Sequence, residues 1–377
     1  MAIRVLSAIG TRPEAIKMAP IVRLLAERGA AFHSIVCVTA QHRAMLDQVL
    51  RTFDIAPDID LDLMEERQGL ADLSARVVVA MTGVIEKTAP DVVLVQGDTT
   101  TTMATALAAF YLKIPVGHVE AGLRTGDRYA PFPEEMNRRV IATLATLHFA
   151  PTERAAAALR AEQVEADGIF VTGNPVVDAL HLVAARPPDA DTAALLDTLR
   201  RAAETQGRRR VVLVTAHRRE SLGQGLENIC AAIRTLLERH ADLQIVFPVH
   251  LNPEVRRAVF SRLGHLPGAT LVAPVSYETL VHLLKACDLV LTDSGGIQEE
   301  APTFGKPVLV LRDVTERPEG VEAGVARIVG TSTARIVAEC SELLGNPAAY
   351  RRMARALDLY GDGRSAARIL DILERTF

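Results

Sequence analysis

The sequence predicts an α/β protein made of two doubly wound, parallel-sheet domains. Three observations point there. Short apolar runs rich in β-branched residues alternate with amphipathic helical stretches, the pattern of successive βα units. The runs are apolar nearly throughout, as strands covered on both faces of a parallel sheet are. The alternation breaks at 185–206, where Arg186-Pro187-Pro188-Asp189 leads into a polar helix, and then resumes. With 377 residues the chain is too long for one ordinary core and comfortable for two.

In chain order, Ile3 to Ile9 reads as a strand and Pro13 to Arg28 as a helix opened by Pro in its first turn. Phe32 to Val38 is a strand, and Gln41 to Phe53 a helix with Met45, Leu46, Val49 and Leu50 on one face. Leu70 to Thr88 is helical, Asp91 to Val95 a strand, and Thr101 to Leu112 a small-residue helix. Val116 to Val119, Leu147 to Ala150 and Ile169 to Val171 complete the first set of strands. After the break, Arg210 to Val214, Leu243 to Pro248, Thr270 to Val272, Leu289 to Leu291 and Val308 to Leu311 read as strands with helices between them. The expected division is 1–175 and 176–360, with an amphipathic helix in 361–377 docking back on the first domain.

Composition narrows the function classes. A net charge of −4 lacks the basic excess of a nucleic-acid binder. No stretch is long and apolar enough to span a bilayer, and the N-terminal apolar run reads as a buried strand rather than a signal peptide. Cys37, Cys230, Cys287 and Cys340 are far apart, with no Cys-x-x-Cys pair; they read as buried small hydrophobes in a reducing, cytoplasmic compartment. No His/Cys group has zinc spacing, no Gly-x-Ser-x-Gly elbow occurs, and no nicotinamide fingerprint follows the first strand, so neither a metal nor a redox cofactor is expected.

In open α/β sheets ligands lie beyond the carboxyl ends of the strands. After the first strand comes Gly10-Thr11-Arg12-Pro13-Glu14-Ala15-Ile16-Lys17. Gly10 suits a tight turn, and the helix N-terminus with Arg12 and Lys17 suits an anion or a sugar; a capped helix carrying two surface cations fits equally well. Gln96-Gly97-Asp98-Thr99-Thr100 places Asp98 either as a helix N-cap, the commoner use, or as a base. Glu120, in His118-Val119-Glu120-Ala121-Gly122, ends another strand. Glu134 and Arg138 stand four apart on one helical face, a surface ion pair in the plainer reading. Asp98, Glu120 and Glu134 all fall at the same end of one expected sheet, an arrangement that suits acid/base chemistry.

In the second half, His217-Arg218-Arg219 forms a cationic strand end that favours a phosphate. Ser294-Gly295-Gly296 at a strand-to-helix junction lets backbone N–H groups approach a diphosphate, with Glu299 and Glu300 one turn on, where a carboxylate binds ribose hydroxyls; a plain glycine-rich turn is the alternative. Arg317 offers a further cation near the same edge.

Taken in order, Gly-Thr-Arg-Pro-Glu-Ala-Ile-Lys, Gln-Gly-Asp-Thr, His-Val-Glu-Ala-Gly-Leu-Arg-Thr, Pro-Phe-Pro-Glu-Glu-Met-Asn-Arg, His-Arg-Arg-Glu-Ser and Asp-Ser-Gly-Gly-Ile-Gln-Glu-Glu-Ala-Pro resemble the non-hydrolysing UDP-N-acetylglucosamine 2-epimerases, from residue 3 to about residue 370. The resemblance implies two Rossmann-like domains facing a central cleft, the fold of B-type glycosyltransferases, with UDP held mainly by the second. It implies Asp98, Glu120 and Glu134 as acid/base carboxylates, and His217, Arg12 and Arg317 toward the phosphates or the departing UDP. Lys17 and Arg138 would hold the sugar and its neighbouring carboxylates; Ser294, Gly295 and Gly296 the diphosphate; and Glu300 the ribose. Gln41, His42 and Arg67 match the region where some members bind a second UDP-N-acetylglucosamine as activator. A homodimer is implied, with no nucleic-acid or membrane partner. The expected reaction is reversible C2 epimerisation through 2-acetamidoglucal and UDP. The alternatives are the same chemistry on a related UDP-sugar, such as a 2,3-diacetamido uronic acid, or a hydrolysing 2-epimerase.

Overall fold

The structure is a computed structural model that describes residues 1–39, 43–63, 68–216 and 223–377. The chain divides into two compact units, Met1–His181 with Tyr360–Phe377, and Leu182–Leu359.

The first unit holds seven parallel strands: β1 (Ile3–Ile9), β2 (Phe32–Val38), β3 (Ile59–Asp60), β4 (Val92–Gln96), β5 (Val116–Val119), β6 (Leu147–Ala150) and β7 (Ile169–Val171), in the order β3-β2-β1-β4-β5-β6-β7. The second holds six: β8 (Arg210–Thr215), β9 (Leu243–Pro248), β10 (Ala269–Val272), β11 (Leu289–Thr292), β12 (Val308–Val310) and β13 (Ala326–Ile328), in the order β10-β9-β8-β11-β12-β13. These are the two doubly wound parallel sheets that the alternation predicts. Every residue of β4, β5, β6, β11 and β12 is buried, which is why these strands are mostly apolar, with only Gln96, His118, His148 and Thr292 as polar members.

Two strands escape a reading by apolar runs, for physical reasons. β3 is two residues long at a sheet edge and ends in Asp60. β13, also an edge strand, carries Arg327 at its centre, whose guanidinium pairs with Glu339 and Glu342 at 2.6 and 2.7 Å.

Winding reverses in both sheets at one place, between β1 and β4 and between β8 and β11. The helices that follow the two inner strands of the first sheet run Arg12–Glu27 and Thr100–Tyr111, so both N-termini flank the switch point. The first begins one residue before Pro13 because Thr11 and Glu14 form a capping box. In the second sheet the helix Gly295–Thr303 follows β11.

The last helix, Ser365–Thr376, belongs to the first unit. Its N-terminus is capped by Asp178, whose carboxylate accepts from the N–H groups of Ser365 and Ala366 at 3.1 and 2.9 Å, and Asp371 pairs at 2.6 Å with Arg28, the residue just past the first helix. All four cysteines are buried and free. Among the described residues no helix is long and apolar enough to cross a membrane.

Candidate active site

The carboxyl ends of β1, β4 and β5 lie side by side: β4 pairs with β1, and Gln96 at the end of β4 is level with Val119 at the end of β5. Gly10–Glu14, Gly97–Asp98 and Glu120 therefore share one edge of the sheet.

Glu120 is the most constrained residue there. It is buried, and its backbone is left-handed at φ +66°, a region that non-glycine residues rarely adopt and that costs on the order of 1–3 kcal/mol. Its carboxylate is met by donors on both oxygens. Lys17 Nζ lies 2.5 Å from Oε1, Asn174 Nδ2 donates to the same oxygen at 2.8 Å, and Gln96 Nε2 donates to Oε2 at 2.5 Å. Lys17 is thus buried and engaged, which overturns the surface-cation reading of this segment.

Asp98 stands one residue past Gly97. Arg138 reaches its Oδ2 through Nε at 2.9 Å and Nη2 at 2.7 Å, and Asn137 Nδ2 donates to its backbone carbonyl at 2.8 Å. Asp98 is not the helix cap. Thr99 takes that place, accepting from the Thr102 N–H at 3.2 Å. The Asp98 carboxylate is left half-buried on the rim.

Glu134 opens the helix Glu134–Leu144 and is half-buried. Arg138, one turn on, is buried rather than a surface residue. Besides Asp98 it reaches Glu135 Oε2 at 3.3 Å. Glu135 is fully buried and accepts from the N–H groups of Thr125 and Gly126 at 3.0 and 3.2 Å, so it braces the loop before the helix.

Glu14 ties the two helix N-termini together. Its Oε2 accepts from the N–H groups of Gly10 and Thr11 at 2.5 and 3.0 Å, and its Oε1 from the Thr99 hydroxyl at 2.5 Å. Burial drives its pKa up; the Thr99, Gly10 and Thr11 hydrogen bonds oppose the rise and the nearby Asp98 charge adds to it. Gly10 is required for space rather than for a turn, because a Cβ there would lie 2.7 Å from Thr101 Oγ1. Arg12, the first helical residue, is half-buried. Beneath the rim the His118 Nε2–H donates to the Gly97 carbonyl at 2.7 Å, and burial pushes the His118 pKa down to about 3.

In the second unit Ser294 is the N-cap residue of Gly295–Thr303, with its N–H on Thr292 Oγ1 at 2.9 Å. Gly295 is buried against the Arg317 guanidinium: a Cβ at Gly295 would fall 2.7 Å from Arg317 Nη1. Arg317 is held by Glu299 at 2.5 Å and Glu316 at 2.6 Å, so its charge lies packed under the Ser294-Gly295 turn. Glu300 is buried and accepts from the Tyr277 hydroxyl at 3.2 Å, and Gly296 is half-buried. His217, Gln41, His42 and Arg67 lie outside the described residues.

The model of the family described as UDP-N-acetylglucosamine 2-epimerase matches residues 25–374. The chain belongs to that family. A UDP-N-acetylglucosamine 2-epimerase of Salmonella typhimurium is 52% identical over 371 residues, covering 98% of each chain. Of solved structures, the UDP-GlcNAc 2-epimerase of Neisseria meningitidis bound to UDP-GlcNAc superposes with a TM-score of 0.93 at 44% identity, covering 99% of this chain and 100% of that one. An S. aureus protein solved with UDP superposes with a TM-score of 0.90 at 44% identity, covering 99% and 96%.

Within the family's motifs the structure brings together Lys17 with Glu120, Asp98 with Arg138, and Gly295 with Arg317. Residues that sequence reasoning passed over hold the first two pairs, Gln96 and Asn174 on Glu120 and Asn137 and Glu135 on Asp98 and Arg138, while Glu14 ties Gly10, Thr11 and Thr99 together beside them. Only Glu14 carried a local signal, the Thr-x-x-Glu spacing of a capping box.

Proposed function

We propose that the protein interconverts UDP-N-acetylglucosamine and UDP-N-acetylmannosamine by inverting C2 of the hexose. The observation that carries this reading is the pair of carboxylates on one strand-end edge, Asp98 and Glu120, each with its own cation, Arg138 and Lys17. Family membership and the 52% identical Salmonella relative support the same reaction.

The C2 hydrogen is not next to a carbonyl, so it becomes acidic only as the C1–O bond to UDP breaks. The C2–H electron pair then forms the C1=C2 double bond, the proton passes to a carboxylate, and UDP leaves with the C1–O electrons. The products held by the enzyme are 2-acetamidoglucal and UDP. Delivery of a proton to the opposite face of C2, with UDP re-adding at C1, gives the epimer. This sequence needs carboxylates for C2, for which Asp98, Glu120 and Glu134 are the proposed set. It also needs positive charge and N–H donors on the departing diphosphate, usually the largest single contribution in such a step. For that we assign Arg12 and His217 together with the Ser294-Gly295-Gly296 backbone, Arg317 as the charge beneath that turn, and Glu300 on the ribose. The proposed setting is the cytoplasm, as the four buried, free cysteines suit, and the proposed assembly a homodimer, as the family resemblance implies.

The test is incubation of the purified protein with a panel of UDP-sugars, including a 2,3-diacetamido uronic acid derivative, followed by proton NMR and an assay for released UDP. Formation of UDP-N-acetylmannosamine without stoichiometric UDP release supports the reading. Free N-acetylmannosamine with UDP would make the protein a hydrolysing epimerase, and turnover of only the uronic acid would move the substrate.

A further inference from the structure

The surroundings of Glu120 treat its two protonation states very differently. Lys17 brings an ammonium, which has donors only. The Asn174 amide has its orientation fixed independently. Its Oδ1 accepts from the Val176 N–H at 3.2 Å, so its NH₂ is the end that faces Glu120, at 2.8 Å. The residue itself is anchored: it is fully buried, its backbone N–H donates to the Tyr360 carbonyl at 2.6 Å, and the preceding Gly173 is packed so closely that a Cβ would lie 2.6 Å from Ser365 Oγ. Asn174 is therefore a rigid donor, clamped from three sides and aimed at one carboxylate oxygen.

Resting on the epimerase reading, we propose that Asn174 is a positioning residue that holds Glu120 as an ionised, fixed carboxylate, making Glu120 the group that accepts the C2 proton while another carboxylate of the site delivers one. Protonating Glu120 in the resting enzyme would strip the charge from the two hydrogen bonds on Oε1, and the proton would have to sit on Oε2, because neither the Lys17 ammonium nor the clamped Asn174 NH₂ can turn to accept. Besides Lys17, the His118 ring feels the Glu120 charge, and Asp98 is the residue after Gly97, which faces Glu120 Oε2. His118 is neutral above about pH 3, so over the working range it neither adds to nor competes with this hold. No local motif marks the role: Asn174 is 54 residues from Glu120 and joins it only through the sheet.

The experiment uses Asn174→Ser and Asn174→Asp in the full-length protein, beside wild type. Ser keeps an acceptor for the Val176 N–H and loses the reach to Glu120; Asp keeps the shape and replaces the donor by a negative charge. Removing a donor from a carboxylate raises its pKa, so the acid limb of the kcat/KM profile moves to higher pH, by about one unit for Ser and further for Asp. The value of kcat falls roughly tenfold or more for Ser, while the UDP dissociation constant and the thermal midpoint of Ser stay near wild type. An acid limb that does not move in Asn174→Ser overturns the proposal even where kcat falls, because a merely structural residue lowers rate without moving the limb. If Asp fails to fold, Ser alone decides. A wild type inactive on every UDP-sugar would overturn the epimerase reading and the role of Asn174 with it, whereas an active wild type with an unaltered Ser variant removes the role of Asn174 alone.

Discussion

Lys17 Nζ lies 2.5 Å from Glu120 Oε1, and this buried ion pair joins the first helix of the first unit to the end of its fifth strand. Both side chains are about a tenth exposed or less, so neither charge has water to fall back on. Removing one partner of such a pair leaves the other uncompensated, which typically costs about 3–5 kcal/mol. Lys17→Met keeps the apolar stem volume and deletes the charge. Its expected cost, from urea unfolding, is about 3 kcal/mol, at the low end because Gln96 and Asn174 still donate to Glu120. The same substitution made in a Glu120→Gln background should cost clearly less. Equal costs in the two backgrounds would mean that the pair is not coupled.

Asp98 presents the other carboxylate, gripped by Arg138 and left half-buried on the rim. Asp98→Asn retains an acceptor for Arg138 and removes the capacity to exchange a proton. Turnover should fall by at least about a hundredfold. UDP affinity, measured by calorimetry, should stay within a few-fold of wild type. A variant with near-normal kcat would exclude Asp98 from proton transfer.

Gly295 leaves room for Arg317, and the two carboxylates of Glu299 and Glu316 stop the guanidinium from moving aside. Gly295→Ala should destabilise the fold by about 1–3 kcal/mol through overpacking and weaken UDP binding by disturbing the turn above Arg317. The same change at Gly296, where an added Cβ meets nothing within 4 Å, should be milder in stability. A thermal-melt comparison of the two variants reads this directly, and equal losses would contradict the packing argument.

Buried histidines set a pH dependence, His118 and His148 most strongly. Burial lowers the pKa of His118 to about 3 and of His148 to about 4, from an ordinary 6.5. As pH falls below about 6.5 the unfolded chain takes up protons at both rings while the folded chain does not, so stability drops with falling pH toward those lower values. His118→Gln removes one of the two groups and can keep a donor for the Gly97 carbonyl. Its unfolding free energy should therefore fall less steeply than that of wild type between about pH 6.5 and about pH 5. Parallel slopes would show that His118 is protonated in the fold.

The strands and the motif positions were legible because a parallel sheet covered on both faces writes itself as apolar runs, with the polar residues displaced to the strand ends. β1, β2, β5, β6, β7 and β9 begin and end where those runs do. The cationic partners of the acids, Lys17 and Arg138, were legible only through the family resemblance, and the amide partners were not legible. Glu135 and Glu134 are neighbours with the same side chain, and only helix phase decides that Glu135 is the one fully buried. Asp98 and Thr99 are both good caps, and the choice between them depends on where the Thr100–Tyr111 helix starts relative to Arg138, which lies 40 residues further on. Asn174 meets Glu120 across the sheet, at a separation no local pattern records.

The measurement closest to the central claim is epimerisation of UDP-N-acetylglucosamine in heavy water, followed at C2 by proton NMR. Proton removal and return at that carbon predicts deuterium at C2 of the UDP-N-acetylmannosamine formed, and of the substrate recovered at equilibrium. Epimer formed with the original C2 hydrogen intact would contradict the account.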